Sequence, residues 1–448
     1  MQSICKRLLD GRKQVDICGL HGGSAALFAA RLQGELGRSL CCIVPTDELL
    51  DPLAQDIGLF TEVPVVLYPA FEIAPYTQLA PDPATVATRL STLYFLQEST
   101  EPCIVLTSAE AILRRIMPRQ VLADHCELVM AGEETDRDGL IAALAASGYQ
   151  LCDLVQQPGD MAVRGGIIDL FAPSFQPDIQ GPLRLDFFGD TVESIRTFDP
   201  LSQRSLAEFD EAVLLPASDI LFPLPAVNGS WQQRISNTAT KLGVSGEGRG
   251  QVLEQLDRQF RFPGIEFLLP LLYQDPAPQT LFDYLPQATP CLLHDPVAIQ
   301  GKVELVWDRI RANYQEAAAD RVALAPDSLF LEQAELDTRL RQALRVGLCT
   351  LPDPDAVQSP IMLQVGDHSL LRQEIDLERK KRGLLAPLAD RLINWQQAGD
   401  TTILACSSSR QAVHFEEMLA GYQVQTARAT VPLDLSPRSG ELFLLEHP

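Results

Sequence analysis

Residues 19 to 26 read GLHGGSAA, a glycine-rich turn between an apolar stretch ending at Cys18 and a run of helix-forming residues. A phosphate loop does its chemistry in that setting. A working loop reads G-x-x-x-x-G-K-[ST]: backbone N–H groups cradle the phosphates, the lysine reaches the β and γ oxygens, and the hydroxyl ligates Mg²⁺. In register, Gly19 keeps the first glycine, Gly22 and Gly23 fall within the loop, and Ser24 stands where the second glycine belongs. Ala25 and Ala26 replace the lysine and the hydroxyl residue. The side chains that carry phosphate charge are gone, so useful NTP affinity and turnover are not expected. A generic strand-to-helix turn accounts for the pattern equally well.

No other constellation recommends catalysis. DEAV at Asp210–Val213 has the acids of a Walker B carboxylate pair of such ATPases, but its apolar residues follow the acids, where such a pair should close an apolar strand. There is no second GK[ST], no nucleophile elbow and no close carboxylate pair. The ten cysteines are scattered without a CxxC, and Cys18, Cys41, Cys42, Cys103, Cys291 and Cys406 lie in or beside apolar runs, as small core hydrophobes do. The six histidines are far apart in sequence, so no metal site is expected.

The chain carries 36 basic against 59 acidic residues, a net charge of −23, which disfavours tight autonomous binding to a phosphate backbone. The one dense basic run, ERKKR at Glu378–Arg382, reads as a solvated helix start or linker. No apolar run approaches the roughly 18 residues that cross a bilayer. The opening MQSICKRLLDGRKQ has no signal-peptide core, so a cytoplasmic location is expected.

The elements that must position these residues can be read from periodicity. Strands are expected at Gln14–Cys18, SLCCIVP, VPVVLY and CIVLTS, with helices over AALFAARLQGEL, from about Pro83 to Gln97, and from Ala109. This is a parallel sheet covered by helices to about residue 120. After Tyr149 the runs VRGGIIDLF, LRLDFFG and TVESIRTF read as short antiparallel strands, with Gly189-Asp190 as a hairpin signal. Along LRLDFF, alternation puts Leu183, Leu185 and Phe187 on one face and Arg184, Asp186 and Phe188 on the other. An aromatic beside an arginine on the polar face is the composition of a docking hot spot. The alternative is that Phe188 packs beneath the sheet and the arginines pair internally. Helices are expected to continue to about residue 260, with GVSGEGRG at 243–250 a glycine-rich loop. After a break near LPDPDAVQSP, a final unit runs helix, buried strand (TTILACS), helix, strand (ELFLLEHP). The expected organisation is 1–125 and 207–350 as two halves of one α/β domain, 126–206 as an α+β insert, and 351–448 as a C-terminal α/β domain cut short by the chain's end.

Residues 163–205 (VRGGIIDLFAPSFQPDIQGPLRLDFFGDTVESIRTFDPLSQRS) resemble the segment shared by UvrB, the helicase subunit of excision repair, and the transcription-repair coupling factors. FPGIEFLLPLLY from Phe262 and TLFDYLP from Thr280 look like the coupling factors rather than UvrB. UvrB keeps an intact phosphate loop and carries an aromatic DNA-clamping hairpin, whereas here YPAFEIAPYTQLAPDPATVATRL passes almost directly into a helix. The resemblance implies a degenerate P-loop NTPase-like fold that is catalytically dead, needs no cofactor of its own and recruits UvrA. It adds Arg164 to Arg184 and Phe188 as UvrA contacts. It also implies that RNA polymerase, double-stranded DNA, ATP and Mg²⁺ are engaged by parts of the longer parent protein outside these residues. The competing expectation is a UvrB-type enzyme whose unconventional loop still binds ATP.

Overall fold

The computed structural model describes residues 14–176, 178–222, 231–241, 254, 264–273, 276–320, 322–351, 359–366, 368–382, 385–429, 431, 433 and 440–446. GVSGEGRG, the first thirteen residues and most of LPDPDAVQSP lie outside them. Among the described residues eighteen strands follow in chain order. β1 (Gln14–Cys18), β2 (Leu40–Val44), β3 (Val65–Tyr68) and β4 (Ile104–Ser108) come first. β5 (Glu127–Met130), β6 (Gln150–Leu151), β7 (Asp160–Arg164), β8 (Ile167–Leu170), β9 (Leu183–Phe188), β10 (Thr191–Phe198), β11 (Ser205–Phe209) and β12 (Glu211–Leu214) follow. β13 (Cys291–His294), β14 (Arg345–Cys349), β15 (Ile361–Met362), β16 (Thr402–Cys406), β17 (Ala427–Arg428) and β18 (Leu442–Glu446) complete the set.

β1–β4 and β13–β15 form one parallel sheet in the order β15-β1-β14-β13-β2-β4-β3. Its inner strand β2, LCCIV, is an unbroken apolar run buried along its whole length because both faces are covered. Leu40, Cys42 and Val44 of β2 pack with Ile17 and the helix Gly23–Leu36 on one face, and Cys41 and Ile43 point into the other. The buried cysteines Cys18, Cys41, Cys42, Cys103 and Cys291 belong to these layers, and burial pushes the Cys42 thiol up. The helix Pro83–Glu98 starts where it does because Asp82 accepts from the N–H groups of Ala84 and Thr85 and Pro83 takes the first turn. No strand interrupts residues 69–82.

The helix expected from Ala109 does not form. A 3₁₀ turn at Ala111–Leu113 is followed by extended chain, with Arg114 bridging Phe330 and Ile116 bridging Gln279, up to Pro118. The buried residues there, Ile112, Leu113, Ile116 and Met117, read as a helical stripe but fill the core from an extended segment. Pro118 also disfavours helical backbone at Met117.

That segment carries Arg114 into the core, over the rings of Phe71 and Phe267 at 4.7 and 5.3 Å. Facing it is Glu266, 7% exposed, from the Ile265–Leu268 turn. Burial pushes the Glu266 carboxyl from its ordinary 4.5 up to about 7, opposed by Arg114. The folded protein therefore holds a proton between about pH 4.5 and 7 that the unfolded chain has released. Stability is expected to fall as pH rises through this window, by on the order of 3 kcal/mol at about 1.4 kcal/mol per unit. In urea titrations from pH 5 to 8, Glu266→Gln should flatten this dependence; an unchanged slope would show that Glu266 is not its source.

Strands β6–β11 form a second sheet, β11-β10-β9-β8-β7-β6, antiparallel except for the β6–β7 pair. β12 pairs antiparallel with β5. The helix Arg137–Ala146 covers the inner face of this unit, where Leu140 and Leu144 meet Met161, Ile168, Leu185, Phe187 and Ile195. Tyr94 and Phe175, ring centroids 4.8 Å apart, join it to the parallel sheet's helical layer. A third sheet, β16-β18-β17, is parallel and packs on the helices Ala386–Ala398 and Ser409–Ala420. β16 is only partly buried because it is an edge strand, where a buried strand was expected. ERKKR closes the helix Ser369–Arg382 rather than opening one. Cations suit that end of a helix.

Candidate functional site

The glycine-rich loop joins β1 to the helix Gly23–Leu36, as the sequence implied. Gly19 has φ +91°, and a Cβ there would lie 2.1 Å from the carbonyl oxygen of Leu363, so only glycine fits. The ladder continues past β15 as Leu363 N–H donates to Cys18 O, which sets that carbonyl against the first glycine of the loop. Ser24 Oγ accepts from His21 N–H at 2.8 Å and donates to His21 O at 2.7 Å, turning its hydroxyl back onto the loop. Ala25 and Ala26 are buried, packed with Ile17, Leu40, Val44 and Val346. Gly22 and Gly23 are exposed. The positions that would supply cation and Mg²⁺ ligand thus face an apolar core.

This arrangement gives a sharp expectation for repair of the motif. Ala25→Lys with Ala26→Thr should cost about 1–3 kcal/mol by overpacking and burying polar groups, and should create no saturable ATP binding in equilibrium dialysis. Micromolar binding at unchanged stability would show that the loop still opens onto a nucleotide site.

DEAV lies across Asp210 and the strand β12, which pairs antiparallel with β5 in the second unit, remote in topology from the parallel sheet. Among the described residues no group of three or more His, Cys, Asp or Glu side chains is placed to hold a metal ion. No described helix is long and apolar enough to cross a membrane.

The second sheet does gather the remaining site residues. Its strand pairing sets Arg164 opposite Ile167 and Ile167 opposite Asp186 in one row, with Asp169 opposite Arg184 and Arg184 opposite Arg196 in the next. All lie on the face away from the inner core, as do Phe188 and Arg164, which sit two strands, roughly 10 Å, apart. Phe188 is 77% exposed at the end of β9, so it does not pack beneath the sheet. Arg164 is exposed, and its Nη2 donates to the Asp153 carbonyl.

Arg184 is held differently. Its Nε and Nη2 donate to the two carboxylate oxygens of Asp169 at 2.7 and 2.9 Å, and its guanidinium lies 4.7 Å from the Phe198 ring centroid. Asp169 is 2% exposed. This two-point bond raises the Arg184 pKa above its ordinary range. The sequence-predicted trio therefore shares one face, but only Phe188 and Arg164 point into solvent, while Arg184 is spent on an internal pair. Arg196 adds a further partly exposed cation, 3.4 Å from Asp186 and 3.7 Å from Glu208. Sequence reasoning missed Asp169 because IIDLF reads as an apolar strand; an acid inside such a strand was the available signal that a buried cation faces it.

Residues 128–220 match the family model of the UvrB interaction domain. The chain is 31% identical to a transcription-repair-coupling factor of Myxococcus xanthus over 93% of its own length and 35% of the relative's. It is 29% identical to the Escherichia coli protein of that name over 74% of this chain and 28% of that one, and 28% identical to the Haemophilus influenzae protein over 72% and 27%. The chain thus spans about a third or less of these relatives. The matched domain coincides with the unit that carries Arg164, Arg184 and Phe188, and similarity to the coupling factors runs through the sheets on either side of it, so the chain is similar to the transcription-repair-coupling factors along nearly all of its length and matches the UvrB interaction domain in its second unit.

Proposed function

We propose that this chain is a non-catalytic adaptor that recruits UvrA through the outer face of its second sheet, bringing excision repair to transcription stalled at DNA lesions. The observation that carries the reading is Phe188, a large aromatic left 77% exposed on the same face of a rigid sheet as the exposed Arg164. Rigid aromatics and arginines dominate binding energy at interfaces, and a sheet holds them without loop-ordering cost. The match to the UvrB interaction domain supports UvrA as the partner. In this reading Arg164 and Phe188 touch UvrA, and Arg184 shapes the face from within through Asp169. The alanines and the Leu363 carbonyl at the glycine-rich loop favour an adaptor over a motor. Contacts with RNA polymerase and DNA, and ATP-driven movement, are assigned to other parts of the parent protein.

The test pairs UvrA capture with ATP titration on the purified chain. Saturable UvrA binding without ATP turnover is expected. ATP hydrolysis, or lesion-specific retention of DNA, would favour a UvrB-type enzyme.

A further inference from the structure

Arg137 opens the helix Arg137–Ala146, where an arginine is locally out of place. A cation in the first turn sits at the positive end of the helix dipole. The side chain is only 20% exposed, and its Nε is shut off from solvent with no partner among the described residues. A residue that breaks local rules in this way points to a task elsewhere.

One bond is local: Nη1 donates to Oδ1 of the exposed Asp138 at 3.1 Å. The others show the task, and Arg137 Nη2 donates to the Gly165 carbonyl at 2.5 Å. Its backbone N–H donates to Asp190 Oδ1 at 3.4 Å, and Thr135 N–H donates to Asp190 O at 2.7 Å. Gly165 begins the two-residue turn between β7 and β8, directly after Arg164. Asp190 ends the turn between β9 and β10, two residues after Phe188. The first turn also rests on β9: Phe187 N–H donates to Gly166 O at 2.7 Å, and a Cβ on Gly166 would meet Phe187 O at 2.5 Å.

We infer that Arg137 is a positioning residue for the docking face, tying the two hairpin turns together and so fixing Phe188 relative to Arg164. The inference rests on the reading of that face as the UvrA site. Holding both side chains in place before contact lowers the ordering cost of binding, which appears mainly in the dissociation rate.

The test measures UvrA association and dissociation, thermal melting and amide exchange for the intact chain and for Arg137→Ala, Arg137→Lys and Phe188→Ala. Arg137→Ala should bind about tenfold more weakly, as for loss of a charged hydrogen bond, with a near-native melt and faster exchange at residues 165–166, while the turn at 189–190 keeps its bonds to the backbone of Thr135 and Arg137. Arg137→Lys, which keeps one donor for Gly165, should recover part of the affinity, and it carries the test if the alanine variant does not fold. Phe188→Ala should lose binding with both turns exchanging normally. Wild-type affinity in the Arg137 variants while Phe188→Ala is inactive overturns the positioning role. So does weakened binding with residues 165–166 exchanging as in wild type. Retained binding by Phe188→Ala would instead overturn the docking reading.

Discussion

Replacing Phe188 with alanine is expected to weaken UvrA binding by about 30-fold or more, the effect of a central aromatic worth about 2 kcal/mol or above, while the melting temperature stays that of the wild type. The two halves of the expectation have separate causes. Phe188 is 77% exposed, so little core packing is lost on truncation. The same exposure makes it a broad apolar surface on the docking face that a partner can remove from water. Surface plasmon resonance alongside a melt distinguishes the cases: lost affinity with a lowered melt would mean that Phe188 supports the sheet, and unchanged affinity would remove it from the interface. Leu201 and Leu206 are also exposed near this sheet, but neither has the ring that makes Phe188 rigid and broad.

Arg184→Ala should act through stability instead. It leaves Asp169, 2% exposed, as a buried carboxylate without its counter-charge, and such a break costs about 3–5 kcal/mol. The chain should then unfold at a lower urea concentration, with the first loss in strands β8 and β9, which the Arg184–Asp169 bond joins. Asp169→Asn combined with Arg184→Gln replaces the ion pair by neutral hydrogen-bonding groups and should be markedly milder than Arg184→Ala alone. A wild-type urea midpoint for Arg184→Ala would show that the pair holds nothing, and any loss of UvrA capture in that variant would then mark Arg184 as a direct contact. The two predictions separate residues that the sequence placed in one set.

How far the sequence reached follows from the range of the forces involved. β2 and the IVL of β4 were legible because strands buried on both faces are apolar where they cross the core. The in–out order of Leu183–Phe188 followed from the two-residue period of a pleated strand, and the burial along β9 alternates accordingly. The segment after Ala109 was misread because its apolar spacing fits a helix, whereas Pro118 and pairing with Phe330 and Gln279 extend it. Those partners are more than 150 residues away. The end-on place of ERKKR was missed because the helix before it is strongly polar and gives little apolar stripe. The same limit applies to the site. Phe188 could be singled out because its strand-mates fix its face, but the locking of Arg184 by Asp169 and of Gly165 by Arg137 joins positions whose partnership no local pattern encodes.

The central claim, that the outer face of the second sheet and not the glycine-rich loop meets the partner, is tested most directly by hydroxyl-radical footprinting of the chain with and without saturating UvrA. Oxidation of Phe188 should be strongly suppressed in the complex, with Leu151 and His21 reacting as in the free chain. Protection centred on His21 and its neighbours, with Phe188 as reactive as before, would contradict the account.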